Sequence, residues 1–507
     1  MRTPEPLDAY QWPPSSDELA ARVGLQPDEI IRFDGNVAAM PPVSARPATL
    51  ARALSQINEY ERGRYLPLRE KIAALHRVSV ANVALGAGSD EFIVLVAQIF
   101  AAGGTVATVP SFTYSMYRYA ALMAGATLVD DPTEADLVFV CRPNNPTGEM
   151  VEIPTGLRGQ LVIDEAYAQY GGVDETARLE EGASILRTFS KAYGLAGARV
   201  GYALADEYRT SVLTSRQAPL SVSALSAALA LAALETPVDV TDQIEERERV
   251  ARELRALGLH PRPSFTNFLF VDMDDPGAMV DRLLPYGVVA RAYPGGLRLS
   301  VRDRLDDDVL LNALAHELRG ADPEPGWTRL TRATAETRLH VRLRAPGQGR
   351  VFIDTGEGFY DHMLQQLAFH GGLDLTLTGV GDLETGDHHT VEDTFRAFGD
   401  ALSRALGDRR GITRYGEARV PMDEALAHAV VDLSGRAVWK IDISPDPGMA
   451  AHALESLAQA ARITLHVTAT GDNAHHVAEA AFKAMGRAMA QALIPSGTLI
   501  PSTKGSL

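Results

Sequence analysis

A chain of 507 residues is too long for one ordinary hydrophobic core, so two or three domains are expected. Hydrophobic residues make up 46% and charged residues 22%, which excludes a disordered chain. The net charge of −17 argues against general nucleic-acid affinity but leaves anionic substrates open, since local arginines decide that.

The N-terminal stretch has no apolar signal region, which predicts a soluble cytoplasmic protein. Gly86-Ala87-Gly88-Ser89-Asp90-Glu91 precedes an apolar helical stretch at 92–100, and a glycine-rich turn entering a helix N-terminus is a ready anion site. Short apolar runs then alternate with longer amphipathic ones: Thr105–Val109, Leu137–Cys141 and residues 160–163, each bounded by Gly, Pro or Asp. That alternation predicts an α/β fold around a mostly parallel sheet. Cys141, the single cysteine, excludes an internal disulfide and is expected as a small buried strand residue. The turn-forming Asn144-Asn145-Pro146-Thr147-Gly148 follows it. The next strand delivers Asp164, in Asp164-Glu165-Ala166-Tyr167, to a position where a carboxylate often faces a ligand crevice. Phe189-Ser190-Lys191-Ala192-Tyr193 comes next, then Arg199. The most apolar run, 224–234, is well short of the ~20 residues that span a bilayer and reads as a buried helix. A helical pattern at 306–318 leads into the linker candidate, residues 319–326, whose Gly and Pro suit neither helix nor central strand. The expected domains are 1–318 and 327–507.

Beyond the linker, residues 337–344 alternate like a half-exposed strand. A helical stretch with His362 and His370 follows, then a strand at 373–377, then His388-His389-Thr390-Val391-Glu392 opening a long helical run. The cluster recurs as His475-His476-Val477-Ala478-Glu479. Strand, Gly-Asp, cluster and helix occur in that order at 373–406 and again at 463–493, an internal repeat of about 90 residues. A duplicated α+β unit with one metal motif per half is expected. Residues four apart share a helix face, so His388 and Glu392 can point at one metal, and His475 and Glu479 at another. His389 and His476 are turned away from their neighbours and are expected to serve the other ion. Imidazole and carboxylate without thiolate suit Mn, Fe or Zn. His466, in a strand at 464–467, is read as a core histidine and left out.

In the first part, a lysine, an aspartate, a helix-start anion site and an arginine are what pyridoxal phosphate needs. The lysine forms the Schiff base, and the aspartate keeps the ring nitrogen protonated so that the ring accepts electrons. Over about residues 25–318 the chain resembles the fold-type I aminotransferases, specifically the histidinol-phosphate aminotransferase family. The resemblance implies that Lys191 is the Schiff-base lysine and proton shuttle and that Asp164 pairs with the pyridine nitrogen. Asn145 and Tyr167 would hydrogen-bond the ring phenolate oxygen, and Tyr114, in Phe112-Thr113-Tyr114-Ser115-Met116-Tyr117, would stack on the ring. Ser89, Asp90, Ser190 and Arg199 would hold the cofactor phosphate, and Tyr65 would reach a phosphate across a dimer interface. Arg298, in Leu297-Arg298-Leu299-Ser300, would bind the substrate's anionic end. The family's Asn-Glu-Asn-Pro-Tyr stretch appears only as Asp34-Gly35-Asn36-Val37-Ala38, without its tyrosine. These residues leave aromatic and other amino-donor substrates open, and a phosphothreonine decarboxylase is a further relative.

The second part resembles the imidazoleglycerol-phosphate dehydratase family over about 327–507. The resemblance rests on Glu336-Thr337, Gly358-Phe359-Tyr360-Asp361-His362-Met363-Leu364, Asp387 through Asp393, Pro421-Met422-Asp423-Glu424-Ala425-Leu426, Asp432-Leu433-Ser434-Gly435-Arg436 and Pro501-Ser502-Thr503-Lys504-Gly505. Glu384-Thr385-Gly386 departs from the usual pattern and leaves the ligands untouched. The resemblance implies two Mn2+ or similar divalent ions per site, held by His362, His388, His389, Glu392, His452, His475, His476 and Glu479. It gives Glu336 as acid/base, Arg414, Arg436, Ser502 and Lys504 as a phosphate cradle, and His370 as a substrate contact. The metals would hold the substrate imidazole as an anion that expels a hydroxyl.

Together the resemblances imply successive steps of histidine biosynthesis. Imidazoleglycerol phosphate is dehydrated to imidazole-acetol phosphate, which is transaminated with glutamate to histidinol phosphate. They also imply a homo-oligomer: an aminotransferase dimer and a dehydratase trimer or 24-subunit shell. Two other readings stay open. One is a dehydratase whose aminotransferase domain has another specificity or is a degenerate assembly partner; the other is a metal-storage or scaffold protein.

Overall fold

The short apolar runs of the N-terminal part become neighbours in one seven-stranded sheet, ordered Val83–Gly86, Gly201–Leu204, Ser184–Thr188, Gln160–Asp164, Leu137–Cys141, Thr105–Val109 and Thr127–Leu128. All adjacent pairs are parallel except those of Gly201–Leu204, which runs antiparallel to both its neighbours. Every residue of Leu137–Cys141 and Ser184–Thr188 is buried, as a central strand covered on both faces requires. Successive side chains alternate between the faces. Leu186 and Ala203 join Phe92, Val96 and Tyr117 under helices Ser89–Phe100 and Ser115–Met123. Ile185 and Tyr202 join Ile72 and Phe189 under helices Leu66–His76 and Ala224–Ala233.

The computed structural model describes residues 12–25, 27–38, 49, 51, 54, 55, 57–61, 63–319, 327–334, 336–383 and 386–502. The chain divides into two compact units, Met1–Pro323 and Glu324–Leu507. Residues 320–326 of the expected linker lie outside the described residues. No helix among the described residues is long and apolar enough to cross a membrane. The apolar run at 224–234 forms the expected helix, but only Ala230 and Ala233 of its residues are buried. An almost uniformly apolar sequence does not show which face meets the core. The pattern at 306–318 is the helix Arg304–Arg319, which packs with helix Thr241–Ala256 on a three-stranded antiparallel sheet carrying Arg298.

The second unit is built twice. Strands Thr328–Ala333, Arg338–Arg344 and Val351–Asp354, helix Gly358–His370, strand Asp374–Val380 and helix His388–Leu406 form the first repeat. Strands Tyr415–Met422, Ala425–Asp432 and Val438–Ser444, helix Ala450–Ala461, strand Thr464–Thr470 and helix Ala474–Ala492 form the second. In each sheet the strand order is first, second, fourth, third, and only the last pair is parallel. The helices pack crosswise between repeats: Gly358–His370 against Ala474–Ala492, and His388–Leu406 against Ala450–Ala461. Glycines at equivalent positions permit both crossings. A Cβ on Gly399 would stand 2.8 Å from Ala460 Cβ and from the Leu457 carbonyl, and one on Gly486 would stand 2.4 Å from the Leu367 carbonyl. His466 is corrected by the strand period: Leu465, Val467 and Ala469 point inward and His466 is exposed.

Candidate functional site

Three parallel strands of the N-terminal sheet end at the same edge, and their last residues meet there. Leu137–Cys141 leads into Asn145, Gln160–Asp164 ends on Asp164, and Ser184–Thr188 leads into Ser190 and Lys191. A crevice at the carboxyl ends of parallel strands is where such sheets bind ligands. The cavity there measures about 360 Å³ and is lined by Ser89, Asp90, Tyr114, Asn145, Asp164, Tyr167, Ser190, Lys191, Arg199 and Arg298, all expected from the sequence.

The local geometry fits pyridoxal phosphate. Helix Ser89–Phe100 starts after Gly88, at φ 88°, with no side-chain cap, so its first N–H groups are open to an anion beside Ser89, Ser190 and Arg199. The Asp90 carboxylate accepts from Tyr114 Oη at 3.1 Å and Arg199 Nη2 at 3.2 Å; it braces these two side chains, and only its backbone N–H suits a phosphate. Asp164 is 3% exposed and accepts from Tyr117 Oη at 2.7 Å. Burial pushes its carboxyl up to about 6. Lys191 Nζ donates to the carbonyls of Asn36 and Gly35 at 3.2 and 3.4 Å. Burial, with Arg298 adding to it, lowers the lysine to about 8. Arg298 Nη1 donates to Asn145 Oδ1 at 2.6 Å, and its guanidinium lies 5.4 Å from the ring centres of both Phe268 and Tyr293. Its Nη2 donates to the Asp34 carbonyl at 2.5 Å, and two of its five N–H donors are thus engaged within the protein. Tyr65 is not part of this cavity; its hydroxyl donates to the Val222 carbonyl at 2.5 Å.

Sequence reasoning missed three residues here. Tyr117 lies in the quoted Tyr114 motif, one helical turn on, and holds Asp164. Asn36, 1% exposed, donates from Nδ2 to Tyr167 Oη at 3.0 Å. Arg291 lines the cavity with a face of Tyr293 beneath it, and no pattern in the sequence singled it out.

In the second unit the crosswise helices assemble two groups related by the repeat: His362, His475 and Glu479 in one, His388, Glu392 and His452 in the other. The ligand atoms of each group lie within 4.8 Å of one another. Each takes one histidine from the first helix of one repeat and a His-x-x-x-Glu pair from the second helix of the other. The first-group rings stack 6.2 Å apart, and His388 stacks on His452 at 5.1 Å. His452 Nε2 is buried with no hydrogen-bond partner, 3.7 Å from Glu392 Oε2, as an uncoordinated ligand atom would be. Imidazole nitrogens with one carboxylate fit a divalent transition ion. Burial would push Glu479 and Glu392 up, but Lys483 and Arg396 outweigh it and hold both carboxyls below their usual range.

His389 and His476 join neither group within the chain. Their Nδ1 atoms face carboxylates instead: Asp382 at 3.0 Å and Glu424 at 2.9 Å. The His476 bond holds Glu424 down to about 2. A carboxylate on Nδ1 fixes the tautomer and leaves Nε2 as the ligating nitrogen, as around metal-bound imidazoles; His476 Nε2 lies 3.8 Å from Asp423 Oδ2. Asp382 was visible in sequence as part of the recurring Gly-Asp, and Glu424 in the Pro421–Leu426 motif, but neither was given a role. Glu336 Oε2 lies 3.7 Å from His389 Nδ1. His370 ends its helix, half-buried beside Lys483 and Arg487. Arg414 is already engaged: Nε and Nη2 donate to Asp432 at 2.6 and 3.0 Å, and Nη1 donates to the Pro501 carbonyl at 2.8 Å. It therefore braces the segment bearing Ser502, while Arg436 is exposed, its backbone N–H donating to Ser434 Oγ. Lys504 lies outside the described residues.

Comparison with known proteins separates the chain the same way. The family model for aminotransferase class I and II matches residues 31–316, and that for imidazoleglycerol-phosphate dehydratase matches residues 355–489. The imidazoleglycerol-phosphate dehydratase of Salinispora tropica is 49% identical over 198 residues, covering 35% of this chain and 98% of that protein. Histidinol-phosphate aminotransferase from Sinorhizobium meliloti, solved with pyridoxal-5'-phosphate, aligns with a TM-score of 0.54 at 25% identity over 62% of this chain and 96% of its own. L-threonine-O-3-phosphate decarboxylase from Porphyromonas gingivalis shares the fold, with a TM-score of 0.51 at 21% identity over 57% of this chain and 99% of its own. The chain thus belongs to two families at once: to the class I and II aminotransferases through its N-terminal unit, and to the imidazoleglycerol-phosphate dehydratases through its C-terminal unit.

Proposed function

We propose that the chain is a bifunctional enzyme of histidine biosynthesis. The C-terminal unit removes water from imidazoleglycerol phosphate to give imidazole-acetol phosphate. The N-terminal unit then transfers the amino group of glutamate to that ketone and gives histidinol phosphate. The observation that carries this reading is the presence in one chain of the Lys191–Asp164 cavity and the two imidazole–carboxylate groups.

Bound pyridoxal phosphate supplies an electron sink for the carbon that loses its proton. Lys191 moves that proton with its Nζ, since burial lowers the amine to about 8, within reach of both protonation states near neutral pH. Asp164 holds the proton on the pyridine nitrogen, and Asn145 and Tyr167 take the phenolate oxygen. Ser89, Ser190, Arg199 and the N–H groups at the start of helix Ser89–Phe100 hold the phosphate. Arg298 binds the anionic end of glutamate or of the phosphorylated substrate.

In the other unit, bound Mn2+ or a similar ion supplies Lewis acidity to the substrate imidazole. His362, His388, Glu392, His452, His475 and Glu479 hold the ions. The Nε2 atoms of His389 and His476, which neither group uses, suit ions held by a second copy of the chain, which supports a homo-oligomer. Glu336 moves the proton from the carbon next to the departing hydroxyl. Arg436, Ser502 and Lys504 contact the phosphate, with Arg414 bracing them and His370 beside the substrate. The expected assembly is an aminotransferase dimer, with Tyr65 reaching the partner's cofactor, and a dehydratase trimer or shell, in the cytoplasm. The 319–326 linker joins domains 1–318 and 327–507.

Purified chain given Mn2+, pyridoxal phosphate, imidazoleglycerol phosphate and glutamate should accumulate histidinol phosphate. Imidazole-acetol phosphate accumulating without amination would remove the proposed role of the N-terminal unit.

A further inference from the structure

We propose that the two metal pockets are inequivalent and that Arg396 makes them so, by keeping one oxygen of Glu392 from the ion while Lys483 releases both oxygens of Glu479. The inference rests on the metal reading above.

Each glutamate has a cation one helical turn further on, but the geometry differs. Arg396 Nε donates to Glu392 Oε1 at 2.7 Å, and both imidazoles face the other oxygen: His388 Nε2 and His452 Nε2 lie 3.5 and 3.7 Å from Oε2. In the second pocket His475 Nε2 faces Glu479 Oε2 at 3.3 Å. His362 Nε2 faces Oε1 at 3.8 Å, the same oxygen that Lys483 Nζ holds at 2.8 Å. One carboxylate is thus set to ligate through a single oxygen; the other turns one oxygen to each imidazole.

What stands behind each cation decides whether it can leave. Arg396 sits between Glu392 and Asp400, whose carboxyl lies in the field of Arg332, Arg404 and Arg396. Its guanidinium has carboxylates one turn away on both sides. Lys483 has Glu479 one turn before it and Arg487 one turn after, and both cations act on His370. Its Nζ also contacts Met422 Sδ at 3.5 Å. An arriving divalent ion repels both side chains. The lysine, a point charge on a flexible stem with like charge behind it, swings out. The arginine, a rigid fork flanked by a second carboxylate, stays. The ion beside Glu392 then has fewer protein ligand atoms and a fixed positive charge nearby. It binds more weakly, by about tenfold, the scale on which outer-sphere partners act.

The test is Mn2+ titration of the metal-stripped full chain, read by the electron paramagnetic resonance of free Mn2+ and by calorimetry. Two affinity classes of one ion per chain are expected. His452→Ala should remove the weaker class and His362→Ala the tighter. Arg396→Lys should raise the weaker class to the tighter, and the reverse exchange, Lys483→Arg, should lower the tighter one if Arg396→Lys fails to fold. A single class in the unaltered chain, or two classes unmoved by both exchanges, overturns this proposal and leaves the metal reading standing. No bound Mn2+ at all overturns both.

Discussion

The two units gather their chemistry by opposite means. In the first, the ends of parallel strands converge on one cavity, so Asn145, Asp164 and Lys191 reach it from one sheet and the enclosing walls change the ionisation of Asp164 and Lys191. In the second, the ligands sit on helix faces, and each group exists because helices of different repeats cross closely. A strand-end site tolerates change in the helices around it. A crossing-helix site depends on the small residues at the crossing and leaves His389 and His476 outside both groups, on carboxylates of their own.

Experiments can break this comparison. The largest effect is expected from Lys191→Ala, which should cut transamination by about a thousandfold or more while leaving dehydration intact. His388→Ala should do the reverse; loss of both activities in either variant would show that the sites are not independent. Gly486→Val should separate helices Gly358–His370 and Ala474–Ala492. We expect a loss of about 1–3 kcal/mol of stability, read by denaturant unfolding, together with loss of one bound metal per chain. Transamination by the same protein should persist, and unchanged metal content would refute the role given to this crossing.

Two smaller effects sharpen the first unit. Lys191 is lowered to about 8, so its neutral, reactive form gains population as pH rises through that value rather than through the ordinary lysine range. Capture of pyridoxal phosphate by apoprotein, followed by absorbance, should accelerate from pH 7 to 9 with a midpoint near 8; a midpoint above 10 would mean the lysine is solvated. Asp164 is raised to about 6, so the folded apoprotein holds a proton that the unfolded chain releases near 4. The Asp164 contribution to apoprotein stability should therefore fall as pH rises from 4 to 6, read as the difference in denaturant unfolding between the unaltered chain and Asp164→Asn at the two pH values, the reverse of the usual carboxylate trend. Tyr117→Phe, which removes the hydroxyl donor to Asp164, should weaken cofactor binding by roughly 1–2 kcal/mol without unfolding the chain.

Much of this was legible in sequence because the signals were local. The runs at Thr105–Val109 and Leu137–Cys141 are strands at those bounds, and the order of Asp164, Lys191 and Arg199 carries the cavity's chemistry. The His-x-x-x-Glu pairs were readable because helical spacing alone puts them on one face. Other features depended on tertiary packing. His452 has no motif around it, and its pairing with His388 follows from a helix crossing between repeats. The expectation that His389 and His476 complete the other pocket does not hold within one chain, where carboxylates claim their Nδ1 atoms. Asn36 reaches Tyr167 from far away in the chain, across a contact no periodicity encodes.

The crosswise pairing has a consequence for the origin of the second unit. Neither repeat owns a complete ligand triplet, since His362 waits on His475 and Glu479, and His452 waits on His388 and Glu392. A solitary ancestral repeat could have closed both triplets only by embracing its twin, so gene duplication would have made permanent, within one polypeptide, a dimer that had earlier to find itself.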